Sequence, residues 1–144
     1  MKYLKYLRLF ESDVSKEEIL DCFADLTDIG FVVNIRWSEG LCIVDIINDV
    51  RLPEGDVKFF HFEDIEETLL FAMPYLISNG MRFLEITVVY FEFNYKPFAK
   101  TKIFKNNDYD YFTIKPLNDM INAIKSYEST GNKIRISNIR IKLS

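Results

Sequence analysis

The chain has a single histidine, His61, in the run FFHFEDIEE, followed by Glu63, Asp64 and Glu67. An imidazole beside carboxylates can ligate a metal or relay a proton. With Asp45 and Asp49 it sketches a magnesium-dependent nuclease site. The same carboxylates are also what a helix start attracts, because acids there meet unpaired N–H groups and the positive end of the helix dipole. No nucleophile or base stands at a diagnostic spacing from them. Glycine-rich phosphate loops, nucleophile elbows, paired cysteine ligands and calcium loops are absent from the sequence. No residue is therefore assigned a catalytic, cofactor-binding or metal-ligating role, no cofactor is expected, and a metal-dependent nuclease ranks third among the functional expectations. Cys22 and Cys42 fall inside apolar stretches at no metal or redox spacing, which reads as two buried reduced thiols.

Phosphate recognition is the other chemistry the residue types could support. Lys96, Lys100, Lys102 and Lys105 lie among Tyr95, Phe98 and Phe104, and the last stretch adds Lys133, Arg135, Arg140 and Lys142. Cations attract phosphate and aromatic rings stack on bases, so a nucleic-acid-binding module using these C-terminal strands is the second expectation. Against it, lysines on the solvent side of edge strands commonly serve to block edge-to-edge aggregation. The ribonucleoprotein strand motifs are also missing. The net charge of −4 is unevenly spread: residues 1–80 hold 7 basic and 16 acidic side chains, net −9, and residues 81–144 hold 11 basic and 6 acidic, net +5. Such a split predicts one acidic and one basic side, which steers partners without choosing a fold.

These groups must be positioned by a scaffold, and the sequence describes one clearly. At 144 residues, 49% apolar and 15% aromatic, the chain suits one self-supporting domain over residues 12–144. No apolar run reaches the roughly 18 residues of a membrane span, so no membrane partner is expected. Between Val14 and Ile29, Ile19, Cys22, Phe23, Leu26 and Ile29 recur at helical spacing, with Asp13 or Ser15 available as cap and Gly30 as terminator. FVVNIRW and LCIVDII then read as an antiparallel hairpin across a turn at SEG. A second helix from about Glu63 to Asn79 is apolar nearly all round, which predicts extensive burial, and Pro74 is expected to kink or split it. MRFLEITVVYFEFNY, apolar on both faces, is expected in the middle of the sheet. FAKTKIFK and YDYFTIK extend it into a meander. Pro116 opens a third helix with Leu117, Met120, Ile121, Ile124 and Tyr127 on one stripe. The final run KIRISNIRIKL alternates but changes phase, so a bulge near Ser137 and Asn138 is needed to keep one buried face. The expected class is α+β: a mainly antiparallel sheet with three helices packed on it. It would be ferredoxin-like, a split βαβ, in its first part if residues 2–10 form a strand, and would end in a helix–strand unit.

The opening run MKYLKYLRLFE is either part of that scaffold, as a sheet edge or a helix packed on the domain, or a segment separable from it. On a helical wheel Lys2, Lys5 and Arg8 gather on one side, while Tyr3, Leu4, Leu7 and Phe10 cover the other. So short a peptide is marginal alone and needs a docking surface. It resembles the short amino-terminal tags of internal proteins in large contractile-tailed bacteriophages, which route cargo into the prohead and are cut after an aliphatic-x-Glu triplet. The matching residues here are Leu9, Phe10 and Glu11, with Ser12 as the new first residue. The resemblance implies a phage-encoded, non-enzymatic binding protein, packaged in the virion or present in the bacterial host cytoplasm, whose partner is a host protein. The acidic face of the first helix is the surface on offer.

Overall fold

A computed structural model of the protein describes residues 14–48, 59–91, 99–107, 113–131 and 133–144. The segment 1–11, most of the Pro53–Gly55 connection and most of YDYFTIK lie outside these residues. The described residues form a five-stranded antiparallel sheet with helices sharing one apolar core with it, the expected α+β class.

The first helix is two. Helix α1, Lys16–Cys22, is capped by the Ser15 hydroxyl, which accepts the Glu18 N–H at 3.2 Å, and carries Glu17 and Glu18 in its first turn. The chain leaves helical geometry at Phe23 (φ −108°, ψ 12°) and resumes as α2, Ala24–Asp28. Ile19, Cys22, Phe23 and Leu26 are buried as the spacing demands. Ile29 is the C-cap residue just past α2, off the helical stripe, and stands 60% exposed, contrary to expectation.

Strand β1, Phe31–Ser38, pairs antiparallel with β2, Leu41–Asn48, and the Ser38–Leu41 pair closes a two-residue turn. Glu39 (φ 53°) and Gly40 (φ 78°) are both left-handed, the backbone that matches the twist of the flanking strands. A single 3-10 turn, Phe62–Asp64, leads into α3, Glu66–Ser78. This helix runs through Pro74 without splitting. Its expected all-round burial is also corrected. Leu69, Ala72, Met73, Leu76 and Ile77 are buried, but Leu70, Phe71 and Tyr75 are 41%, 62% and 40% exposed. The helix shares the apolar core with the sheet and packs beside α1, and no other described helix or strand covers Leu70, Phe71 and Tyr75.

Strands β3, Phe83–Phe91, and β4, Lys100–Lys105, pair antiparallel, and helix α4, Lys115–Glu128, precedes the final strand β5, Arg135–Leu143. Because helix begins at Lys115 and Thr113 and Ile114 are not in a strand, the expected third meander strand does not extend into the described residues. In α4, Leu117, Met120, Ile121 and Ile124 are buried and Tyr127 packs against the core.

The sheet order is β1-β2-β5-β3-β4. Strand β3, from the run MRFLEITVVYFEFNY, is an interior strand as expected, paired with β5 on one side and β4 on the other, and the last strand takes the middle position beside it. The last strand fills the slot between β2 and β3 that residues 2–10 would take in a ferredoxin-like order. Val89 pairs with Asn138 and Tyr90 with Ile136, so Ser137 is the extra residue of a bulge at the expected place. The bulge keeps Ile136, Ile139, Ile141 and Leu143 on the buried face, where they meet Val44 and Ile46 on one side and Ile86 and Val88 on the other. Phe60 adds a bridge to this strand, exchanging backbone hydrogen bonds of 2.8 and 2.7 Å with Ile136.

Candidate functional site

Acidic residues gather where α1 and α2 face the entry of α3. Asp21 comes from α1, Asp25 from α2, Glu63 and Asp64 from the 3-10 turn and Glu67 from the first turn of α3, and between them runs a groove of about 500 Å³. Local rules explain part of this set: the acids of the 3-10 turn and α3 sit at helical N-termini, where the dipole favours them, whereas Asp21 lies in the last turn of α1, where it does not. Packing of α1 against α3 turns these separate preferences into one surface. The floor and rim are apolar, from Leu26, Ile29 and Phe71, and the exposed Phe71 ring stacks on Tyr75 at 6.1 Å with 16° between planes. Glu63 is bound by the Lys133 ammonium, which holds its carboxyl below the usual carboxylate range. Asp64 accepts the His61 N–H at 3.0 Å. Among the described residues no cation pairs with Asp21, Asp25 or Glu67. Burial, reinforced by Asp21 and Glu18, pushes the Cys22 thiol up, so it lies at the groove as an un-ionised apolar group.

The groups of the nuclease expectation are not brought together. Asp45 lies on the sheet face away from the core and binds Arg140, with Nε–Oδ1 at 2.8 Å and Nη2–Oδ2 at 3.4 Å. His61 sits at the entry of the 3-10 turn with Nδ1 3.2 Å from the Ile134 carbonyl oxygen, and its ring meets Phe59 edge-on at 5.8 Å. Asp49 lies outside the described residues. Among the described residues no group of three His, Cys, Asp or Glu side chains could hold a metal ion.

The basic residues are dispersed as well. Lys100, Lys102 and Lys105 are exposed on β4, an edge strand of the described sheet, with Lys102 over the Phe104 ring at 5.4 Å. Alternation sends Lys105 to the core-distant face and Lys100 and Lys102 to the other. Arg140 and Lys142 belong to the central strand and face acids across it, Asp45 at 2.8 Å and Glu85 at 3.9 Å. Lys133 is engaged with Glu63, and the Arg135 guanidinium lies 5.3 Å from the centre of the Phe59 ring. Lys96, like the candidate cleavage residues Leu9, Phe10, Glu11 and Ser12, falls outside the described residues.

The sequence reading found the acidic face of the first helix but missed the wall opposite it and the apolar rim. The signal was present in α3, where Leu70, Phe71 and Tyr75 exceed what one buried face can take. No helix among the described residues is long and apolar enough to cross a membrane. No protein family, curated protein or solved structure matches the chain.

Proposed function

We propose that the chain is a phage-encoded, non-enzymatic binding protein, carried in the virion by way of residues 1–11. It acts stoichiometrically on a basic host protein through the groove between α1–α2 and α3. The observation that carries this reading is the pairing of unneutralised Asp21, Asp25 and Glu67 with the exposed apolar side chains Ile29 and Phe71 in one groove. Carboxylates without cations attract a basic partner and orient it during encounter. Exposed Phe and Ile beside them supply the area whose burial holds the complex. A surface serving only solubility needs the charges and not the aromatic rim. On the opposite side of the balance, Arg140, Lys142 and Lys133 are each matched by an acid, which leaves the nucleic-acid reading with less free charge.

Two measurements test the proposal. Mass spectrometry of purified virions should find the chain beginning at Ser12; a chain beginning at Met1, or none, removes packaging. A host protein retained by the purified chain should be lost on D25K/E67K exchange and on Phe71→Ala. Retention by both variants moves the binding face elsewhere.

A further inference from the structure

We propose that the groove is taken in cis by residues 1–11 of the same chain, so that the basic opening segment is the built-in competitor of any basic partner. This rests on the groove being the binding face, and it adds how that face is regulated.

Three observations lead to it. The groove combines acidic and exposed apolar lining. Ile29 and Phe71 are 60% and 62% exposed, the highest among the described large apolar residues, and they line it together with Leu26. Leaving such side chains in water forgoes roughly 25 cal/mol per Å² of apolar surface that an occupant would cover, and clustered exposure of this kind marks a contact site.

The chain also holds a segment whose residue types complement it. Residues 1–11 carry Lys2, Lys5 and Arg8 against a single acid, Glu11, interleaved with Tyr3, Leu4, Leu7 and Phe10. Three cations can meet Asp21, Asp25 and Glu67, which have no cationic partner among the described residues, while aromatic and aliphatic side chains meet Phe71 and Ile29. The basic residues of β4 and around β5 are a poorer match. Lys100, Lys102 and Lys105 belong to a paired strand, and Lys133, Arg140 and Lys142 already face Glu63, Asp45 and Glu85.

Finally, the segment is tethered at the right place. It joins the described chain at Val14, at the start of α1, and Asp21 lies seven residues further on, roughly 10 Å along a helix that rises 1.5 Å per residue. Eleven residues span up to about 36 Å when extended, more than the roughly 10 Å that separates the start of α1 from Asp21. A tether this short places the segment at a local concentration of the order of millimolar, so even weak pairing occupies the site.

The test uses purified full-length protein and a fluorescent synthetic peptide of residues 1–11, followed by anisotropy. If the groove is taken in cis, the peptide binds a K2E/K5E/R8E chain at least tenfold more tightly than the intact chain. Adding D25K/E67K to that chain should weaken binding at least tenfold. Asp25 and Glu67 are exposed and the other three positions lie outside the described residues, and circular dichroism checks the fold of each variant. Binding to neither chain, equal binding to both, or binding indifferent to D25K/E67K overturns the proposal. Because no host protein or virion enters this measurement, its failure leaves the packaging and partner results standing; retention of a host protein by both groove variants would instead remove the competitor role while leaving the peptide measurement readable.

Discussion

Asp45 and Arg140 are 95 residues apart in sequence and face each other from β2 and β5 in a two-point contact. The fork of the guanidinium matches the carboxylate, and Asp45 raises the pKa of Arg140 further. The Arg140 side chain is 41% exposed, however, so solvent screens the attraction. A double-mutant cycle with D45A and R140A in urea should therefore give a coupling of about 0.5–1 kcal/mol. The Cys42 thiol is fully enclosed, and burial pushes its pKa up to about 11. At pH 8 the thiolate that reacts with disulfide reagents is thus rare, and modification by an aromatic disulfide should be slow until denaturant unfolds the chain. Fast labelling of native protein would show that the core opens at Cys42. Glu63 supplies a pH test. Its folded pKa is lowered by Lys133, so its contribution is present above its unfolded pKa and fades as pH falls through the folded value. Carbon-detected NMR should place its titration below that of an ordinary glutamate, and Lys133→Met should raise it. The buried state of both cysteines was legible in their apolar surroundings. The partners Asp45–Arg140 and Glu63–Lys133 were not, because charge pairing across a fold depends on strand register, which no local pattern encodes.

Helices and turns show where local rules held and where packing overrode them. The hairpin turn, the end of α3 at Gly80, the start of α4 at Pro116 and the Ser137 bulge all follow from residues within a few positions of the feature. The break at Phe23 does not: the apolar spacing runs through it without a breaker residue, and the Phe23 ring is fully buried at the break. Glu39 occupies a left-handed position that costs a side chain with a Cβ about 1–2 kcal/mol, less for Asn. Glu39→Asn should then stabilise the protein by about 0.5–1 kcal/mol in chemical denaturation, and a loss would mean that the Glu39 side chain has a role the turn does not reveal. Pro74 is solvent-exposed inside α3 and supplies no N–H toward the Leu70 carbonyl. Restoring that donor with Pro74→Ala gains part of the roughly 3 kcal/mol interior proline penalty, less up to about 1 kcal/mol of unfolded-state entropy. The expected net stabilisation is about 1–2 kcal/mol.

At the scale of the whole molecule the strand order sets how the chain must fold. The β1–β2 hairpin and the β3–β4 pair have no ladder between them, and β5, last in sequence, joins both. The sequence pattern showed only part of this: β3, apolar on both faces, reads as an interior strand and is one, whereas the alternation of Arg and Lys along β5 looked like an edge. Central position is decided by which ladders close, and β5 tolerates cations because Asp45 and Glu85 face them from the neighbouring strands. Its other side places four residues, Ile136, Ile139, Ile141 and Leu143, wholly in the core. Two consequences are measurable. Ile139→Ala removes a fully enclosed side chain between Ile46 and Val88 and should cost about 2–5 kcal/mol in urea unfolding, a typical penalty for such a cavity. A chain ending at Gly131 loses the middle of its sheet, and the hairpins left behind have apolar faces with no ladder between them. It should therefore bind a hydrophobic dye and unfold without a sigmoidal transition. A cooperative transition in that truncated chain would mean that the two hairpins can pair directly and that β5 is inserted between them rather than required.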